Sequence, residues 1–201
     1  MRTPSGSTPI NSLKLLDNNT LFVFALGSEA AGEFDDFNKL ITGVGKINAA
    51  HELTKAIYIY RPQLIINLGS AGSNTFKKGE VVCCTQFIQR DMDARGLGFK
   101  QYETPFSEMD TVLNYGIKIE GLPEGICGSG DHFETNHFTT DYNVIDMEAY
   151  SIAFVSMKER ISFLCLKYIS DGADGTAAED WTEQVHKAAG AFKKILFSIN
   201  K

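Results

Sequence analysis

Three carboxylates stand beside turns built from small residues: Glu29 in Gly27-Ser28-Glu29, Glu148 in Asp146-Met147-Glu148-Ala149, and Asp171 in Ser170-Asp171-Gly172. A pair of carboxylates on opposite sides of a sugar is what glycosyl hydrolysis needs. One protonates the leaving group and the other activates water. Each residue also has a plainer explanation. An acid near a helix start favours the helix dipole, and for Glu29 or Glu148 taken singly that explanation is the better one. Ser-Asp-Gly is good turn chemistry, so Asp171 could equally cap the next helix.

The elements that would position these acids are legible from periodicity. The stretch 145–174 reads as a helix, a tight turn and a strand, with Glu148 at the helix start and Asp171 just past the strand. Residues 162–169 are largely apolar and carry no Gly or Pro, which suits a strand buried on both faces. Ligands in open α/β sheets collect at the carboxyl ends of such strands, where Asp171 stands. Further strands are expected at 21–26, 38–44, 63–67, 80–87 and 123–129. A helix is expected at 48–60, with Ala49, Leu53, Ala56, Ile57 and Tyr60 on its inner face and Pro62 as its stop. A last amphipathic helix is expected at 181–199, where Trp181, Val185, Ala188, Phe192, Leu196 and Ile199 recur at helical steps. Strands alternate with helices, which predicts an α/β fold: a three-layer α/β/α sandwich with a central mixed sheet. Residues 1–12 read as a loose polar arm ahead of a single domain. The irregular segment 89–111 is too long for a simple connection and suggests a functional loop or an interface.

The strand ends carry recurrent small-residue turns: Gly27-Ser28, Gly43-x-Gly45, Gly69-Ser70-Ala71-Gly72 and Gly128-Ser129-Gly130. Such turns let a ligand approach the backbone, and strand ends can share one rim. None forms the strand–G-x-G-x-x-G–helix arrangement or the G-x-x-x-x-G-K-[ST] loop, which argues against dinucleotides and nucleoside triphosphates.

Composition narrows the class. The chain has 201 residues, 43% hydrophobic and 22% charged, enough for one full domain with its own core. A formal net charge of −6 argues against a nucleic-acid partner but not against an uncharged nucleoside. No run is long enough to span a bilayer, and the N-terminus lacks the apolar core of a signal peptide, so no membrane association and a cytoplasmic location are expected. Cys83, Cys84, Cys127 and Cys165 form no C-x-x-C pair and read as reduced structural residues. His51, His132, His137 and His186 lack ligand spacing, so neither a metal nor another cofactor is expected.

Five blocks resemble the methylthioadenosine/S-adenosylhomocysteine nucleosidases, within the wider purine nucleoside phosphorylase and hydrolase group. They are Ala25-Leu26-Gly27-Ser28-Glu29, Gly43-Val44-Gly45-Lys46-x-x-Ala49-Ala50, Asn67-Leu68-Gly69-Ser70-Ala71-Gly72, Gly130-Asp131-x-Phe133, and Asp146-Met147-Glu148-Ala149 leading to Ile169-Ser170-Asp171-x-Ala173-Asp174. They occur in the family's order. The resemblance implies that Asp171 is the general acid at purine N7, steadied by Ser170, and that Glu29 is the general base for water. It implies that Glu148 holds the ribose hydroxyls, Met147 packs on the sugar and Phe133 stacks on the base. Ser70 would lie near the nucleophile and Trp181 near the 5′ substituent, with Leu26, Ala71 and Gly72 completing the substrate-binding set. It further implies a homodimer in which a neighbour's loop closes the pocket, with Leu97, Phe99 and Phe106 as candidates.

The expected activity is hydrolysis of a purine ribonucleoside, most simply a 5′-thio-substituted adenosine. Alternatives are a futalosine or adenosine/inosine hydrolase, a phosphorylase, and a non-catalytic nucleoside-binding protein. Glu29 stands where a phosphate would need a cation, and no Arg adjoins the Gly27 or Ser70 turns, although Arg90 could reach them. That favours water over phosphate. One departure from the family is the short segment between Glu29 and Gly43. An acid that must keep its proton near neutral pH should be partly buried, so a raised pKa is expected at Asp171.

Overall fold

Residues 15–199 are described in the computed structural model, so the expected arm at 1–12 lies outside the described residues. Eight strands form one mixed sheet: β1 (Thr20–Phe24), β2 (Lys39–Ile41), β3 (Leu64–Gly72), β4 (Val81–Gln89), β5 (Val112–Asn114), β6 (Glu124–Ser129), β7 (Val144–Asp146) and β8 (Ser162–Asp171). β3 pairs with both β7 and β8, β8 with β4, β4 with β6, and β6 with β7. These five strands therefore close on themselves. β1 and β2 extend the sheet in parallel beyond β3.

Helices cover both faces. α2 (Lys46–Tyr60) and α3 (Ala149–Lys158) bury Leu53, Ile57, Ile152 and Ala153 in one core with Val23, Ile65, Phe87 and Phe163. The other face is covered by α1 (Gly27–Ala30) and α5 (Ala188–Ile199), whose Ala30, Phe192 and Leu196 pack with Phe22, Phe24, Ile66 and Leu166. Each fully buried Leu or Phe contributes about 1.5–3 kcal/mol. The α/β/α sandwich with a mixed sheet is thus the observed architecture.

Several boundaries differ from the sequence reading. Residues 145 and 146 belong to β7, not to a helix; α3 begins only at Ala149. β3 runs on through Gly69-Ser70-Ala71-Gly72, which the small residues suggested was a loop. It stays extended because β8 pairs with it along its whole length, with a register shift only between Ala71 and Gly72. β8 reaches Asp171, so that residue ends the strand instead of following it. β2 is only three residues long. The C-terminal helix is broken: Trp181 lies on a separate α4 (Ala177–Gln184), joined to α5 through a 3₁₀ turn at Val185–Lys187. Tyr60 is 44% exposed and belongs to neither core.

Candidate functional site

The carboxyl ends of β1, β3 and β8 open on one cavity of about 230 Å³. It is lined by all of the residues expected to bind or act on substrate: Leu26, Glu29, Ser70, Ala71, Gly72, Phe133, Met147, Glu148, Ser170, Asp171 and Trp181. Glu29 lies more than a hundred residues before the other two acids in the chain, and each is buried: Glu29 and Asp171 are 3% exposed and Glu148 7%.

Glu29 sits in the single turn of α1. Its Oε1 accepts hydrogen bonds from the backbone N–H of Ser70 at 2.8 Å and from Ser70 Oγ at 2.7 Å. Its Oε2 accepts the Leu26 N–H at 3.1 Å. The Trp181 indole N–H donates to Ser70 Oγ at 2.9 Å, so indole, hydroxyl and carboxylate form one chain of bonds. All the bonds to Glu29 are donated to it, which fixes it as an acceptor toward the cavity.

Asp171 closes β8. Ser170 Oγ donates to its Oδ2 at 2.7 Å and the Ala173 N–H to its Oδ1 at 2.9 Å. Burial raises its pKa, and these two donors only partly oppose that. A side chain on Gly72 would meet Asp171 Oδ1 at 2.7 Å, so the bare glycine is what lets this acid sit where it does. The direction of the shift is the one expected for a proton donor.

Glu148 precedes α3 and accepts the Gly45 N–H at 2.8 Å through Oε1. Gly45 has φ of 96°, a backbone region that favours glycine, and it turns the start of α2 toward Glu148. Burial, reinforced by the neighbouring Asp146 carboxylate, pushes the Glu148 pKa up to about 8.

Sequence reasoning missed the support beneath these acids. Lys167, in mid-β8, is buried and forms a 2.8 Å ion pair with Asp146, both side chains 2% exposed or less. Asp146 also accepts Ser129 Oγ at 2.5 Å and the Ala149 N–H at 2.8 Å. Burial works against the charge on both partners, but their mutual attraction wins: the Asp146 pKa falls and that of Lys167 rises. A side chain on Gly69, the strand neighbour of Lys167, would meet Lys167 Nζ and Glu29 Oε1 at 3.3 Å each. The bare glycine therefore leaves room for both side chains. The signal of Lys167 was a single Lys inside the apolar run 163–169.

The opposite wall carries Phe133, 47% exposed, with Arg90, His132 and Glu134. Arg90 thus does reach the cavity, held by the His132 backbone carbonyl and the Glu134 carboxylate. Leu97 and Phe106 are 76% and 94% exposed, and Phe106 meets the Phe99 ring edge-on at 5.3 Å.

A family profile described as "Phosphorylase superfamily" matches residues 40–200. A protein of Exiguobacterium sp. named 5′-methylthioadenosine/S-adenosylhomocysteine nucleosidase is 31% identical over 81% of this chain and 78% of its own. A Helicobacter pylori protein named aminodeoxyfutalosine nucleosidase is 30% identical over 78% of this chain and 76% of its own. Among solved structures, a 5′-methylthioadenosine/S-adenosylhomocysteine nucleosidase of Helicobacter pylori superposes with a TM-score of 0.80. It covers 90% of this chain and 96% of its own length at 21% identity.

Proposed function

The chain belongs to the phosphorylase superfamily, and from that premise we propose that it is a nucleosidase hydrolysing the N-glycosidic bond of a purine ribonucleoside. The preferred substrates are 5′-thio-substituted adenosines, methylthioadenosine or S-adenosylhomocysteine, cleaved to adenine and the thioribose, a step of methionine salvage. The observation that carries the reading is the meeting of Glu29, Glu148 and Asp171 around one cavity.

Cleavage of an N-ribosidic bond builds positive charge on the sugar and negative charge on the base. Asp171, whose pKa burial raises, donates to N7 and turns the purine into a neutral leaving group, with Ser170 fixing the carboxyl. Phe133 stacks on the base. Glu29 takes a proton from the attacking water, and the Trp181–Ser70 chain holds it in place. Glu148 binds the ribose hydroxyls. With a pKa of about 8 it can donate one hydrogen bond and accept another, as a vicinal diol requires. Met147 packs on the sugar.

Water is the nucleophile in this reading. Glu29 occupies the place beside Ser70 where a phosphate would need a cation, Lys167 is committed to Asp146, and Arg90 to His132 and Glu134. The test is release of free base from a nucleoside panel with and without inorganic phosphate. Release that requires phosphate would replace the hydrolase with a phosphorylase, and no release from any member would leave a binding protein.

The chain acts as a homodimer in the cytoplasm in this reading. The exposed Leu97 and Phe106 of the 89–111 loop, with the half-buried Phe99 between them, supply the contact that closes the neighbour's pocket. Light scattering during gel filtration tests it; a monomer at micromolar concentration would contradict it.

A further inference from the structure

The start of α2 is held by acids from distant parts of the chain. Its N-cap is Gly45, which has no side chain to satisfy the first N–H groups of the helix. Two consecutive backbone donors are instead taken by carboxylates 103 and 85 residues away. The Gly45 N–H donates to Glu148 Oε1 and the Lys46 N–H to Asp131 Oδ1, both at 2.8 Å. A side chain on Gly45 would come within 3.1 Å of Asp131 Oδ1, so the bare glycine gives that carboxylate its place.

Asp131 is itself fixed. Its own N–H donates to Asp91 Oδ2 at 2.9 Å, the Lys46 ammonium pairs with Asp91 Oδ1, and the same ammonium lies 3.7 Å from Asp131 Oδ2. These side chains clip the start of α2 to the segments that follow β4 and β6. The Asp131 side chain is 44% exposed, so its ion pair contributes little by itself. What the clip fixes is geometry. Gly45, Lys46, Asp91 and Asp131 stand outside the lining of the cavity, whereas Glu148 lines it. The Gly45 N–H is the one hydrogen-bond donor to the Glu148 carboxylate among the described residues. The direction of Glu148 into the cavity therefore follows the placement of the α2 start.

We infer that Asp131 is a positioning residue for recognition of the sugar. By holding the Lys46 N–H it fixes the Gly45 N–H, and through it the Glu148 carboxyl, against the ribose hydroxyls. This rests on Glu148 binding the ribose, as in the proposed function. Without an acceptor at position 131 the first turn of α2 frays. The glycine at its cap, free to take a wide range of backbone angles, then no longer aims its N–H at Glu148.

The test measures kcat/KM for 5′-methylthioadenosine and for its 2′-deoxy counterpart on the wild type, Asp131→Ala, Asp131→Asn and Glu148→Ala. The intrinsic reactivity of the two sugars cancels when variants are compared. The wild type should prefer the ribonucleoside, since a site built to bond a hydroxyl rejects the analogue lacking it. Asp131→Ala should lose at least about tenfold of that preference. Asp131→Asn, whose amide oxygen still accepts the Lys46 N–H, should keep most of it. Glu148→Ala sets the scale by removing the preference. A merely structural role for Asp131 would slow both substrates equally. An unchanged ratio in Asp131→Ala, or an Asn variant as impaired as the Ala variant, overturns the proposal while Glu148 keeps its role. A preference that survives Glu148→Ala takes Glu148 off the ribose and overturns the proposal with it. Calorimetric binding of adenosine and 2′-deoxyadenosine gives a second readout that needs no turnover. If the wild type cleaves neither nucleoside but still binds adenosine over 2′-deoxyadenosine in an Asp131-dependent way, the hydrolase reading falls and the positioning role stands.

Discussion

Lys167→Met isolates the support beneath the site. The substitution keeps an unbranched apolar stem one atom shorter and removes the charge, leaving Asp146 buried with 1% of its side chain exposed. Breaking a buried ion pair by removing one partner costs about 3–5 kcal/mol, because the remaining charge stays desolvated. Asp146 keeps the Ser129 hydroxyl and the Ala149 N–H, which places the loss near the lower end of that range. For a domain of this size the melting temperature should fall by about 6–12 °C. The pH dependence identifies the cause. In the wild type the Asp146 pKa is depressed, so its contribution is fully present above the ordinary aspartate value and is lost only as pH falls through the lower folded value. In the variant, burial unopposed by the ammonium raises that pKa, so Asp146 regains a proton on mild acidification and the deficit shrinks. Urea denaturation at pH 7.5 and pH 5 should therefore show a larger difference between the two proteins at pH 7.5. Adding Asp146→Asn should recover part of the lost stability. Equal deficits at both pH values, or a deficit under about 1 kcal/mol at pH 7.5, would refute the view that Lys167 exists to balance this charge.

Asp171→Asn and Glu29→Gln should each fold as the wild type by circular dichroism and lose about 10²–10⁴-fold in kcat; a near-wild-type rate in either removes that residue from the mechanism. Trp181→Phe takes the indole N–H from Ser70 Oγ and should lower kcat/KM by about tenfold, with little change in thermal stability, since the ring is only partly buried. Glu148 has a raised folded pKa of about 8, so its contribution to stability is complete below the ordinary glutamate value near 4.5 and is lost as pH rises through 8. Between those limits the wild type should lose up to about 1.4 kcal/mol per pH unit more than Glu148→Gln does, and superimposable slopes in chemical denaturation would contradict the assignment.

The fold class and the gathering of the acids were legible because both rest on local signals that survive folding. Apolar runs such as 63–67 and 162–169 had to be buried strands, and small-residue turns mark the strand ends that form the rim. What was illegible depends on partners far away in the chain. Gly69-Ser70-Ala71-Gly72 looks like a loop in isolation and becomes strand only because β8 pairs with it to its end. The closure of β3, β8, β4, β6 and β7 rests on a single antiparallel β3–β7 contact, Gly72 with Ile145, for which neither residue carries a signal. The 181–199 pattern reads as one helix because hydrophobic spacing carries across the 3₁₀ turn that separates Trp181 from the rest.

The same argument explains which site residues escaped notice. Glu29 and Asp171 sit beside glycines that advertise a close approach and Glu148 sits in the block Asp146-Met147-Glu148-Ala149, whereas Lys167 is displayed only as an anomaly of charge in an apolar strand. Its meaning comes from Asp146, twenty-one positions earlier, and from Gly69, which is its neighbour only in the folded sheet. Residues that act directly are marked by their own turns. Residues that balance charge act through pairs, and a pair is visible only where the fold brings its two halves together.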